Sequence, residues 1–336
     1  MITNKQKFSL IYFVLNSFFL SSGYSLIFKV AGKDAWLSMI IGSMIGVLII
    51  LIFNTLSFNK KRKYILNSKI NVINKSIMII FFTFVLFMNL LIARVFATSF
   101  FLTKTPGIII TIPFALLAFK NAKKGINSIS KIAEILVHVS IVLTILAILA
   151  VYKDGSFASF YPLLTTGKSK IILASIYYAI FTTIPQLLLF DIKIDLKKHV
   201  QFYIIASIIN FLIGIFTIFT LGPYLIKVFR FPEYMVLKQL KLFNFIEKIE
   251  NLIGLIWFFD LFISSSISIY SIDKLTKSNT INVLILSAVI LLIEFVTANY
   301  EYVTMIYKNL HIMLSVIGIL FFLVIFKLAR KNKKSS

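Results

Sequence analysis

Ten apolar stretches recur along the 336 residues, at about 8–28, 36–53, 76–102, 106–120, 132–152, 170–190, 200–226, 249–272, 281–297 and 310–328. About twenty apolar residues cross the hydrocarbon core of a bilayer, so this spacing restricts the chain to a polytopic membrane protein. With 59% hydrophobic and 14% charged residues, too little polar surface remains to solvate a water-soluble fold of this size. The longest non-apolar stretches, 54–75 and 227–248, are too short to build a separate core. The sequence therefore predicts an all-α integral membrane protein of about ten transmembrane helices, with residues 1–336 forming a single membrane domain.

The formal net charge of +23 does not point to a nucleic acid, because the basic residues lie mainly in short loops between apolar runs. With the N-terminus inside, 22 Lys and Arg fall in inner segments against 12 outside, and Arg94 lies within a span. That asymmetry predicts that both termini are cytoplasmic. Two inner clusters dominate it, Lys60, Lys61, Arg62, Lys63, Lys69 and Lys75, and the tail Lys327, Arg330, Lys331, Lys333 and Lys334. Both suit orientation signals and contacts with lipid headgroups. The first span follows Lys5 and Lys7 without an Ala-x-Ala cleavage pattern, and reads as a retained helix.

No cysteine is present, which excludes disulfides, thiol catalysis and Cys-based metal sites. No nucleophile–base pair, phosphate loop or zinc signature stands in the sequence, so neither an enzyme nor a cofactor is expected. The segment 227–248 is broken by Pro232 and then places Met235, Leu237, Leu240, Leu242, Phe245 and Ile246 among charges. It reads as an amphipathic helix or hairpin lying on the outer face.

Spans one to five occupy about 8–152 and spans six to ten about 170–328, two halves of similar length. An odd number of spans per half would make the repeats inverted, and transporters of that plan bind substrate near the midplane, where corresponding helices are broken. The first span of each half carries a break signal. In span one it is Ser21-Ser22-Gly23, and in span six Thr182-Thr183-Ile184-Pro185-Gln186. Glycine frees the backbone, proline removes a donor, and hydroxyls satisfy the groups so released. Each signal alone also fits an ordinary kink or packing contact, and their matched placement favours a site. Ser21, Ser22, Gly23, Thr182, Thr183, Pro185 and Gln186 are the candidate substrate-binding residues.

Polar residues inside the other spans supply further candidates. Arg94 reads either as half of an ion pair gating the outer pathway or as a side chain snorkelling to the interface. Glu134 and His138, four residues apart, share one face of span five and read either as a proton-transfer pair or as a neutral histidine satisfied by a neighbouring backbone or hydroxyl group, and two ligands make no metal site. His199 and His311 sit at span ends and read as interfacial. Asp260, Ser264 and Ser265 stand in span eight with Ser266 and Ser268, where small serines also serve helix packing. Glu294 in span nine receives no role.

Three blocks carry a resemblance. Ala31-Gly32-Lys33-Asp34-Ala35-Trp36-Leu37-Ser38 is similar to a Gly-x-Asp-Ala-Trp-Ile-Ser signature. Lys104-Thr105-Pro106 is followed by Ala122-Lys123-Lys124-Gly125-Ile126 and Ser130-Lys131-Ile132-Ala133-Glu134-Ile135. Phe231-Pro232 is followed by Phe245-Ile246-Glu247-Lys248-Ile249-Glu250 and Ile256-Trp257. In order and spacing these blocks resemble the endospore germination permeases, the B-type subunits of nutrient germinant receptors within the amino acid–polyamine–organocation superfamily. The resemblance implies a bundle of the leucine-transporter type with five-plus-five inverted repeats and an amino-acid-type ligand. It also implies an A-type membrane subunit and a C-type lipoprotein as partners, in a cell membrane or spore inner membrane. In the related transporter fold, hydroxyls on span eight facing the broken first helix bind sodium, which makes Asp260, Ser264 and Ser265 ion-coupling candidates beside Glu134 and His138. The chain departs from the family where Phe28 replaces a proline after the first break, and where Thr183 and Pro185 stand in place of a glycine and an acidic residue. An autonomous amino-acid or cation-coupled permease on the same scaffold is the competing reading.

Overall fold

A computed structural model describes residues 2–57, 72–152, 155–190, 192–238 and 249–331. The basic cluster at 60–69, residues 245–248 and the tail beyond 331 lie outside them. Among the described residues every regular element is helical. The first half comprises α1 (Asn4–Phe18), a π-helical turn (Phe19–Gly23), α2 (Tyr24–Ala31), a 3-10 turn (Gly32–Asp34), α3 (Ala35–Ser57), α4 (Val72–Phe100), α5 (Gly107–Lys123) and α6 (Ile126–Val151). After a short 3-10 turn (Phe157–Phe160) come α7 (Lys168–Thr183), a second break (Ile184–Leu189), α8 (Leu196–Val228), α9 (Pro232–Lys238), α10 (Ile249–Thr276), α11 (Asn279–Thr297) and α12 (Tyr300–Lys331).

Among the described residues eight stretches are long and apolar enough to cross a membrane: 24–53, 72–100, 126–150, 168–189, 196–228, 254–276, 279–297 and 300–324. The two further spans expected at 8–28 and 106–120 coincide with elements that fall short of that length. One is interrupted by the π turn, and the other, α5, has 17 residues, about 26 Å at 1.5 Å per residue.

Burial sorts the helices into centre and periphery. A capping box between Thr3 and Gln6 starts α1, and from Ser9 to Phe18 every residue is buried, on all sides of the helix. A helix apolar all round belongs at the middle of a bundle, and α1 packs on α6, α8 and α10. Around it, α10 lies along α4 while α7 lies along α3. The outer helices turn apolar side chains away from the protein, among them Leu149 of α6, Leu291 of α11 and Leu323 of α12. So much outward apolar surface is stable against lipid rather than water.

Two of the motif blocks act as joints. At Gly32 the backbone turns through φ 55°, ψ −134°, which L side chains rarely adopt, and α2 gives way to α3. This corner aims Asp34, wholly buried, at the segment joining the two halves. Its Oδ1 accepts from the Leu164 N–H at 2.9 Å and its Oδ2 from the Thr166 N–H at 2.8 Å, while Thr166 Oγ1 donates to the Ala31 carbonyl at 2.9 Å. Ser38 Oγ donates to the Ile171 carbonyl at 3.1 Å, a further tie to α7. The second joint is aromatic: Phe96 of α4 packs on Trp257 of α10 with ring centroids 4.3 Å apart, and Phe231 and Tyr234 close over the pair. The described part of the amphipathic segment, α9, thereby packs on the bundle with Glu233, Tyr234, Val236 and Leu237 buried.

Charge-assisted hydrogen bonds to backbone N–H groups are worth about 1.5–3 kcal/mol each. Asp34→Ala should therefore lower the stability of the detergent-solubilised protein by about 3 kcal/mol, and should expose residues 155–167 to protease first. Asp34→Asn, which keeps one acceptor, should lose about half as much. Thermal unfolding together with limited proteolysis checks both.

Candidate functional site

Both expected breaks are present, and each keeps its backbone hydrogen-bonded. In span one the ladder widens instead of unwinding: the Tyr24 N–H reaches the Phe19 carbonyl, five residues back, and Gly23 holds helical angles. Glycine is required there for space, since a Cβ at Gly23 would run into the Phe19 ring. That ring cannot swing away freely, because it packs on Tyr24 at 4.4 Å and edge-on to Tyr178 of α7 at 4.8 Å between centroids. In span six, α7 tightens into 3-10 geometry from Ile184, with Pro185 in the first turn where its missing donor costs nothing. The second break packs on α1 and the π turn packs on α7, so the two interruptions are neighbours.

The side chains of the span-six break are closed on themselves. Thr182 Oγ1 donates to the Tyr178 carbonyl and meets the Tyr203 hydroxyl at 2.9 Å, and Thr183 Oγ1 donates to the Ala179 carbonyl. Gln186 Nε2 donates to the Thr182 carbonyl at 2.7 Å, and its Oε1 lies 2.6 Å from His199 Nε2. His199, read from the sequence as interfacial, is thus half-buried in this network. Ser22 is buried beside Gly23 in the π turn.

Open space lies on another side of the first break. A cavity of about 60 Å³ is lined by Leu20 of the π turn, Tyr12 of α1, Thr144 of α6, Thr217 of α8, Glu233 of α9 and Trp257 of α10, among others. Thr144 and Thr217 donate to the carbonyls of Ser140 and Ile213 in their own helices, which leaves oxygen lone pairs to accept from an occupant. Glu233 is buried, with no hydrogen-bond partner on either carboxyl oxygen among the described residues. Burial holds this carboxyl well above the usual carboxylate range. None of the span-six candidates lines the cavity. Of the π turn only Leu20 reaches it among the described residues; Ser22 and Gly23 do not line it, and Thr182, Thr183, Pro185 and Gln186 are buried elsewhere.

A second polar cluster runs along α10. Asn89 of α4 donates to Ser264 Oγ at 2.8 Å and Asn121 of α5 donates to Ser266 Oγ at 3.2 Å, while Ser268 Oγ bonds the Ser264 carbonyl. Ser265 Oγ and both oxygens of Asp260 are buried without a hydrogen-bond partner among the described residues. Asp260 is within electrostatic reach of Tyr12, whose hydroxyl is beside Thr144 and Asn16. Tyr12 is the cavity-lining residue nearest in this sense to the cluster.

The remaining candidates lie apart. His138 is on the outer face of α6, where its Nδ1 meets the backbone carbonyl of Glu134 at 2.5 Å, so the two side chains are not facing one another across the core. Arg94 forms an ion pair with Glu294 of α11, joining α4 to α11 at the flank of the bundle. Sequence reasoning missed Tyr12, Asn89, Asn121 and Glu233. Asn89 stood as an isolated amide in an apolar run, a signal of the same kind as Asp260, whereas Asn121, between Lys120 and Lys123, gave none.

Gly23→Ala should force Phe19 off Tyr178 and destabilise the protein by about 1–3 kcal/mol, seen as earlier thermal unfolding. Phe19→Leu in the same chain should recover most of the loss, whereas independent sites would simply add.

Comparison with known proteins places this geometry. The sequence profile of the family described as Spore germination protein matches residues 1–311. Spore germination protein XB of Bacillus anthracis is 23% identical over 326 residues, an alignment covering 90% of this chain and 91% of that protein.

Proposed function

Because this chain belongs to the spore germination protein family, we propose that it is the permease-like membrane subunit of a spore germinant receptor, binding or transporting an amino-acid-type nutrient. The observation that carries the reading is the cavity set against the interrupted first span, with hydroxyls, one carboxyl and an indole among apolar walls. Small-molecule sites have this composition, mostly apolar with a few converging polar groups. In this reading α1 with α2, α3, α4, α5 and α6 form the first five spans and α7, α8, α10, α11 and α12 the second five, as inverted repeats of the leucine-transporter type. Both termini are cytoplasmic and α9 lies on the outer side, in keeping with the charge asymmetry. Ser21, Ser22 and Gly23 shape the ligand site, while Thr182, Thr183, Pro185 and Gln186 form the packed hinge behind it. The Arg94–Glu294 pair closes the outer flank.

An A-type membrane subunit and a C-type lipoprotein are the proposed partners, which receive the conformational change that ligand binding favours. A second reading, an autonomous cation-coupled permease, draws support from one feature. Asp260 and Ser265 leave buried oxygens free near Ser264, and hard cations bind such oxygen sets.

Purification from the native membrane should recover the two partner subunits with this chain; isolation of the chain alone, together with amino-acid transport in liposomes, favours the permease. Gly23→Leu should abolish the nutrient response of properly inserted protein, because the side chain displaces Phe19 at the edge of the site. For orientation, the chain has no cysteine of its own, so single cysteines at Lys61 and Lys238 report cleanly. An impermeant thiol reagent applied to intact cells should label the second and not the first.

A further inference from the structure

Glu233 occupies an unusual position for an acid. It belongs to the short helix α9, is only 6% exposed, and contributes to the wall of the cavity with neither oxygen hydrogen-bonded among the described residues. Among the described residues no lysine or arginine lines that cavity. The two cations nearest in sequence are engaged elsewhere. Arg230 stacks on Tyr300 and Tyr307, at 5.3 and 4.9 Å from the ring centroids, and Lys238 sits over Phe100 at 4.7 Å.

Ionised, a buried carboxyl with no counter-charge among the described residues costs several kcal/mol relative to water; an incoming cation offsets that cost and favours loss of the carboxyl proton to solvent. The cavity provides a second feature of the same sign: the indole of Trp257 and the phenol ring of Tyr12 form part of its wall, and aromatic walls hold ammonium groups. Among the described lining residues no carboxylate-binding cation accompanies them. The space is small. At about 10–15 Å³ for each water-sized group, the cavity of about 60 Å³ holds about four to six such groups.

We propose that Glu233 is the ligand-recognition residue of this cavity, receiving the protonated primary amine of a compact ligand whose apolar remainder lies against Leu20 and Trp257. The assignment rests on the cavity being the ligand site of the proposed function. It makes the amine, rather than a carboxylate, the end of the ligand that the side chains select. Thr144 and Thr217 accept the remaining ammonium protons through the lone pairs left by their bonds to Ser140 and Ile213. The acid comes from the short helix packed over the bundle and not from either break, so occupation of the cavity draws α9 against the spans.

The test uses two probes of matched size, n-propylamine and propionate, titrated against the full-length protein in nanodiscs and followed by saturation-transfer NMR. Propylamine should bind and propionate should not. Glu233→Gln should weaken propylamine binding about thirtyfold or more, the usual loss when one member of a buried charge pair is removed, whereas Glu233→Asp should retain a substantial part of it. Size-exclusion behaviour and thermal unfolding confirm that each variant is folded. Propylamine binding unchanged in Glu233→Gln, or propionate binding as tightly as propylamine, overturns the assignment. Thr217→Trp separates this failure from the broader one, since it fills the cavity. If Thr217→Trp removes binding while Glu233→Gln does not, the cavity stands as the ligand site and the acid is not its recognition group. If Thr217→Trp leaves binding intact, both readings fall.

Discussion

Inside a bilayer no water is available to hydrogen-bond a freed N–H or C=O, and each unsatisfied group costs several kcal/mol. Both breaks in the bundle conform to that constraint. The first break widens the ladder to a five-residue bond instead of opening it, and the second tightens to 3-10 geometry at a proline whose absent donor falls in the first turn. The hydroxyls of Thr182 and Thr183 return to carbonyls of their own helix. A helix interrupted in this way bends and changes the direction of its side chains, yet it leaves few bare backbone groups for a ligand to use. Recognition then falls to side chains, and the buried carboxyls without hydrogen-bond partners among the described residues, Glu233 and Asp260, become the informative ones.

Much of the architecture was legible before any coordinates. Apolar run lengths located the helices, and the Ser-Ser-Gly and Thr-Thr-Ile-Pro sequences located both interruptions, because glycine and proline act locally on the backbone. Where sequence reasoning stopped short, the cause was tertiary. The four-residue spacing of Glu134 and His138 set them on one face of a helix and left two partners open for the imidazole, but did not show that His138 turns outward, where it meets the Glu134 backbone carbonyl. Arg94 and Glu294 are 200 positions apart, and neither the pairing nor its place at the flank follows from hydropathy. Glu233 was hidden for a different reason. It lies in a segment whose mixed polarity reads as surface, and its burial comes with the packing of the short helix α9 on the bundle.

Tyr12 lines the cavity and is within electrostatic reach of Asp260, so a charge that appears or disappears on the α10 side alters the field inside the cavity. The amides of Asn89 and Asn121 hold the intervening serines, Ser264 and Ser266, in fixed orientations and so keep α10 in register with α4 and α5.

The Asp34 clasp carries a mechanical consequence. It fastens the strap that connects the two halves of the chain, through Leu164 and Thr166, to the corner between α2 and α3. A connector left loose would absorb rotation of one half against the other as slack. Stitched to the corner, it becomes a short tether whose far end is the start of α7, the helix that contains the second break. Any swing of α7 is then transmitted to the continuation of the first interrupted helix, and the two breaks are geared to one another at the periphery as well as packed together at the centre.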